Sequence, residues 1–249
     1  MCDFKKQLTP TREDFLEESG ANLYFMDKIA SILDLSCYGK FLEIGCGTGV
    51  FSKSLAFATG WDAYGTEISS SAQKIAAERI ECYLVNGLTL PFNDDLFSLV
   101  FAKDVLPMIS NKSDWFKEIN RVLKKGGKFI SYLPSEKDFS DKPLYSFIPG
   151  SEQASRRAYG QMSEIISSMN DGGFDDPTVE RCHLGTVKID RRYFEKHKCG
   201  FFNNLQGEKF RVNRKLGLQR ATPGVDALNQ LGITIHYEWE RTLVIGEKT

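Results

Sequence analysis

Apolar and polar positions along this chain follow two periods. Short apolar runs of strand length alternate with segments in which apolar residues return every three to four positions. Phe41–Ile44, Trp61–Thr66, Cys82–Val85, Phe97–Ala102 and Lys128–Leu133 read as strands. The fourth is nearly all apolar, the pattern of a strand covered on both faces. Val50–Ala58, Ser69–Ile80 and a segment capped by Ser113 that runs through Leu123 read as helices, the last ended by Gly126-Gly127. Upstream, Thr11-Arg-Glu-Asp14 has capping-box character and opens a helix that stops near Gly20. Asn22 caps a second, in which Leu23, Met26, Ile29, Ala30 and Leu33 recur at helical spacing, so residues 1–38 read as N-terminal helices. Strands alternating with helices imply right-handed crossovers and a parallel sheet.

After Pro134 the pattern loosens. Asp138–Gly150 holds prolines and aromatics and reads as a loop, Glu152–Asn170 as one helix, Val179–Leu184 as a sixth strand and Arg241–Gly246 as the last. Residues 188–233 read as an insertion. The expectation is one α/β domain over 1–249, with residues 138–150 and 188–233 as cap segments over a site.

Phe41-Leu-Glu-Ile-Gly-Cys-Gly-Thr-Gly49 is a buried strand running into a glycine loop, whose backbone can approach a ligand because no Cβ stands in the way. In open α/β sheets ligands sit at the carboxyl ends of the strands, and an acid about 20 residues beyond the glycines accepts from a ribose diol; Glu67, ending the second strand, stands there.

Glu43-Ile-Gly-Cys-Gly-Thr-Gly49 resembles motif I of the class I S-adenosylmethionine-dependent methyltransferases, of small-molecule type. Tyr64-Gly-Thr-Glu67-Ile-Ser resembles the acidic second motif, Val85–Phe101 the adenine loop and fourth strand, and Glu118–Lys128 the helix, turn and fifth strand that follow. The resemblance implies a doubly wound, mostly parallel seven-stranded sheet with an antiparallel last strand. It implies S-adenosyl-L-methionine as cofactor, a small-molecule acceptor, and methyl transfer by in-line displacement. Gly45, Cys46, Gly47, Gly49, Glu67 and Ile68 would hold the cofactor. Asn86, where relatives often carry Asp, would accept from the adenine amino group, with Gly87 and Leu88 at the ring. Ala102 and Lys103 would meet the amino-acid end, and Tyr24, on the helix before motif I, would cover it or simply pack. Glu43 orients either the loop or the ammonium end. Candidates for a base are Asp104, His183, His197 and His236; Pro107-Met108 stands where relatives often carry Glu-His, so the familiar His is missing.

A net charge of −1 gives no global pull toward nucleic acid or an anionic membrane. No apolar run has the length of a membrane span, and the N-terminal residues lack a signal-type apolar segment, so a cytoplasmic location is expected. The six cysteines form no CxxC pair; Cys182-His183 and His197-Lys-Cys199 read as unrelated pairs, and no metal is expected. Three other classes stay open: a dinucleotide oxidoreductase, a cofactor-binding scaffold and an RNA methyltransferase. The last draws on 188–220, where ten Lys or Arg face three acids and aromatics interleave.

Overall fold

The computed structural model describes residues 23–34, 37–85, 88–147, 150–190 and 223–249. The helix expected over 11–20, its successor's Asn22 cap, Asn86, Gly87, His197 and residues 191–222 of the insertion lie outside them.

Seven strands form one sheet in the order β3-β2-β1-β4-β5-β7-β6. They are β1 (Lys40–Ile44), β2 (Asp62–Glu67), β3 (Glu81–Leu84), β4 (Phe97–Lys103), β5 (Leu123–Pro134), β6 (Phe174–Ile189) and β7 (Ile235–Lys248). The pairings among β1 to β5 are parallel, and β7 runs antiparallel to both β5 and β6. The order reverses at β1, so a crevice opens at the carboxyl ends of β1 and β4.

The helices are α1 (23–32), α2 (Val50–Thr59), α3 (Ser70–Ala76), α4 (Lys112–Val122), α5 (Glu136–Asp141), α6 (Pro143–Phe147), α7 (Ser151–Tyr159), α8 (Met162–Asp171) and α9 (223–230). Side-chain alternation on the strands splits the core in two. Phe25 and Ile29 of α1 and Phe51 and Leu55 of α2 pack with Phe41, Leu99, Phe101 and Ile130 on one face. Phe116 and Ile119 of α4 and Ile165 and Met169 of α8 pack with Leu42, Val100 and Phe129 on the other.

Several boundaries differ from the sequence expectation. The fourth helix is capped by Asn111, whose side chain accepts from Asp114 N–H, rather than by Ser113. It ends at Val122 because Leu123 turns extended and pairs with Phe97; Gly126-Gly127 therefore lies inside an irregular start of β5 instead of closing the helix. The single helix expected over Glu152–Asn170 is broken at Gly160 (φ 79°), after which Gln161 and Glu164 form a capping box. Asp138–Gly150 is not a plain loop: Ser135 caps α5, and α6 begins at Pro143. The last two strands are longer than expected, because residues 235–240 of β7 pair with β6 alone as a two-stranded ribbon beyond the sheet. Ile235, Tyr237 and Trp239 alternate with His236, Glu238 and Glu240, the period of a strand with one polar face.

Gly246 of β7 faces this packing. An added Cβ would stand 2.7 Å from Met169 Cε and from Phe174 Cδ1. Gly246→Val should destabilise the fold by about 1–3 kcal/mol through overpacking. The measurement is the urea midpoint; a midpoint equal to wild type would show that the two side chains move aside freely.

Candidate cofactor and acceptor site

A cleft of about 420 Å³ opens where the strand order reverses. Gly45, Glu67, Ile68, Val85, Leu88 and Leu90 line one part, and Lys103, Asp104, Val105, Met108, Ile109 and Trp115 the other.

The glycine loop leaves β1 with Gly45 at φ 72°, Gly47 at φ 56° and Gly49 at φ 73°. At Gly45 a Cβ would also meet Val105 Cγ2 at 2.7 Å, so both the turn and the close packing need glycine. Gly45 N–H and Cys46 N–H both donate to Thr66 O, at 2.8 and 3.0 Å, tying the loop to the end of β2. Glu67 completes the tie. Its Oε2 accepts from Gly47 N–H at 2.9 Å, and its Oε1 from Ile68 N–H and Ser69 N–H at 2.9 Å each. A carboxylate offers about four acceptor positions, so after these three bonds one remains. Glu67 therefore holds the loop itself, a part that the sequence pattern did not reveal.

Glu43 is buried behind the loop. Ser52 of α2 donates to its Oε2, and Lys103 Nζ lies 3.8 Å from its Oε1. Burial raises the Glu43 carboxyl, with Lys103 and Ser52 opposing. Glu43 does not line the cleft, and these two side-chain partners lie on α2 and at the end of β4 rather than in the glycine loop. Lys103 does line the cleft, its ammonium 3.9 Å from the Phe51 ring centre.

The loop after β3 is clamped from below. Glu118 Oε1 accepts from Leu90 N–H at 2.7 Å, and Arg121 donates to Phe92 O at 2.8 Å and to Leu90 O at 3.2 Å. Glu118 and Arg121 also pair at 2.8 Å. Neither was singled out from the sequence, although their spacing of three on one helix is the signal that pairs them.

Asp104 sits at the far end of the cleft in the left-handed region, φ 55°, a strained placement for a residue with a Cβ. Tyr159 hydroxyl donates to its Oδ1 at 2.9 Å, and Arg241 Nη1 lies 3.3 Å from the same oxygen. Arg241 is buried between the Tyr132 and Trp239 rings and lies 3.6 Å from Asp138 Oδ2. Asp138 is buried on α5, accepts from Tyr237 hydroxyl, and has its carboxyl pushed up by burial while Arg241 pulls it down. Arg241 Nε has no hydrogen-bond partner among the described residues. A lone Arg opening the apolar run Arg241–Gly246 was the available signal for this cluster.

Other expected site residues fall elsewhere. His183 is exposed on the edge strand β6, opposite Glu240, and does not line the cleft; of the expected base candidates among the described residues, Asp104 lines it. His236 is exposed on the same ribbon. Tyr24 hydrogen-bonds Cys182 of β6, which raises its hydroxyl to about 12, and it does not line the cleft. Ala102 is buried in the core beneath the cleft. No cluster of metal-ligating side chains occurs among the described residues, and no helix there is long and apolar enough to cross a membrane.

Comparison with known proteins agrees with this geometry. Residues 42–131 match a family model described as a methyltransferase domain. The chain is 32% identical over 174 residues to the uncharacterized protein MJ1123 of Methanocaldococcus jannaschii, covering 69% of this chain and 82% of that one. It is 26% identical over 211 residues to phosphoethanolamine N-methyltransferase 3 of Arabidopsis thaliana, covering 80% of this chain but only 41% of that enzyme's length. The crystal structure of YcgJ from Bacillus subtilis superposes with a TM-score of 0.59 at 19% identity, over 92% of this chain and 98% of that one. The chain belongs to the class I S-adenosylmethionine-dependent methyltransferases.

The residues present fit that family's cofactor, S-adenosylmethionine. Gly47 leaves its Cβ position open, with nothing within 4 Å, and Glu67 retains acceptor capacity beside it. Apolar Ile68, Val85 and Leu88 can flank an adenine ring.

Two predictions come from this geometry. Glu67→Ala should weaken binding of S-adenosylhomocysteine by about 1.5–3 kcal/mol, the loss of a charged acceptor; calorimetry on a folded variant with unchanged affinity would remove Glu67 from the site. The second concerns pH. Hydrogen bonding from Arg121 lowers the Glu118 carboxyl below its ordinary range. Its contribution is complete above the unfolded value of about 4.3 and is lost as pH falls through the lower folded value. Exchange of the Leu90 amide, corrected for intrinsic rate, should accelerate on that descent in wild type. Glu118→Gln should remove the pH step; persistence of the step would assign it to another group.

Proposed function

We propose that this chain transfers a methyl group from S-adenosylmethionine to a small-molecule acceptor seated at the Asp104 end of the cleft. The observation that carries this reading is one continuous cleft with the Glu67-tied glycine loop at one end and an anchored carboxylate at the other. The cofactor, when bound, supplies a methyl group already activated by its sulfonium. The chain's own part is alignment and the handling of a proton. Gly45–Gly49 and Glu67 hold the ribose and amino-acid portions, and Leu88 flanks the adenine. Asn86 and Gly87 remain candidates for the adenine edge. Asp104, steadied by Tyr159 and Arg241 through Oδ1, has its second oxygen to receive a hydrogen bond or a proton from the acceptor.

Trp115 and Met108 favour an aromatic or otherwise apolar body on the acceptor. The basic composition of residues 188–220 favours an anionic group on it. A second reading, an amine as the acceptor atom, is favoured by the carboxylate of Asp104 and by a relative named phosphoethanolamine N-methyltransferase. A small molecule carrying both an amine and an anionic group satisfies all of these.

Asp104→Asn preserves the side chain's shape and should leave S-adenosylhomocysteine affinity within error. Transfer of labelled methyl from the cofactor to a metabolite extract should fall about 100-fold or more. Full transfer by the variant would exclude Asp104 from handling the acceptor proton; no transfer by the wild type to any extract or amine panel would argue for a binding protein.

A further inference from the structure

The thiols of Cys46 and Cys82 take no part in the chemistry proposed above, yet their Sγ atoms lie 3.5 Å apart. Cys46 is buried within the glycine loop, and Cys82 is half-buried on β3, the outermost strand on that side. Cys82 pairs in register with Gly65 of β2. A Cβ on Gly65 would stand 2.6 Å from Cys46 Sγ, so the side chain missing at Gly65 is the space that the thiol fills. The loop is held over this spot by Cys46 N–H donating to Thr66 O at 3.0 Å. Both thiols are free.

The two sulfurs differ in surroundings. The hydrogen bond to Cys82, then burial and the Glu43 and Glu67 carboxylates, push the Cys46 thiol up. Cys82, the more exposed of the two, is lowered by its hydrogen bond with Cys46.

We propose that Cys46 and Cys82 form a reversible disulfide under peroxide, and that closing it disables the cofactor loop; the second half rests on the cofactor reading given above. The Cys82 thiolate attacks a peroxide oxygen, forming a sulfenic acid and releasing water once a proton is taken up. The Cys46 sulfur then attacks that sulfur, its thiol proton and the hydroxyl leaving as a second water. Two thiols are oxidised and one peroxide is reduced. The sulfurs must approach by about 1.5 Å to reach bonding distance. That motion pulls on the residue between Gly45, which lines the cleft, and Gly47, whose N–H is held by Glu67. Losing that charged hydrogen bond should cost cofactor affinity.

The test uses the full chain, reduced or treated with hydrogen peroxide, with S-adenosylhomocysteine as the probe. Peptide mapping by mass should find a Cys46–Cys82 cross-link, cleaved again by dithiothreitol. Affinity should fall roughly tenfold or more on oxidation and return on reduction. Cys82→Ser, whose position does not line the cleft, should bind as the reduced wild type does and keep its affinity through the same treatment. Absence of the cross-link while other cysteines oxidise would overturn the disulfide. A cross-linked protein that binds with full affinity would overturn the switch. Reduced protein that never binds the probe would refute the cofactor reading, and the mapping would still decide the disulfide.

Discussion

The site depends on one carboxylate. Glu67 ends β2 and takes three backbone N–H groups, one from the glycine loop of β1 and two from the turn into α3. Bonds from N–H groups to a charged acceptor are stronger than neutral ones. They join two neighbouring strand ends that the sheet alone leaves free. Left-handed Gly45, Gly47 and Gly49 make this possible, because a chain with Cβ atoms there would resist the turn that points Gly47 N–H at Glu67. The positions of Gly47 and Ile68 follow from that tie, while Gly45 and Cys46 are held by their own N–H bonds to Thr66 O.

The opposite end is built differently. Asp104 is carried on a strained turn and steadied by groups from α7 and β7, with Asp138 of α5 behind them. Three segments far apart in the chain therefore meet at one carboxylate. In a low-dielectric setting a buried Arg without partners would be costly, and here two carboxylates and two aromatic rings surround it. The cost of burying the charge is offset only when α5, α7 and β7 are all in place, so the geometry of Asp104 is coupled to the packing of the C-terminal half.

Between the two ends, Glu118 and Arg121 reach up from α4 and hold the backbone of the loop after β3. This helix faces the core with Phe116, Ile119 and Val122 and uses its upper side for the clamp. A core helix thereby also sets the shape of the cleft wall.

Much of this was legible in the residues. The strand–glycine–helix beginning, the acid at Glu67, the alternation of strands and helices and the buried fourth strand are local patterns, and each is set by period or by glycine within a few positions. Asp104 was legible too, since it directly follows that fourth strand. What only the tertiary structure decided depends on contacts between distant segments. His183 was set on an exposed edge because register with β7 places it there, and Tyr24 was turned toward Cys182 because α1 packs beside β6. Arg241, Asp138 and Tyr159 converge on Asp104 across more than one helix and strand, and no spacing along the chain encodes that meeting. Local periodicity reports which face of an element is apolar; it carries no information on which polar groups from remote elements will share a buried space.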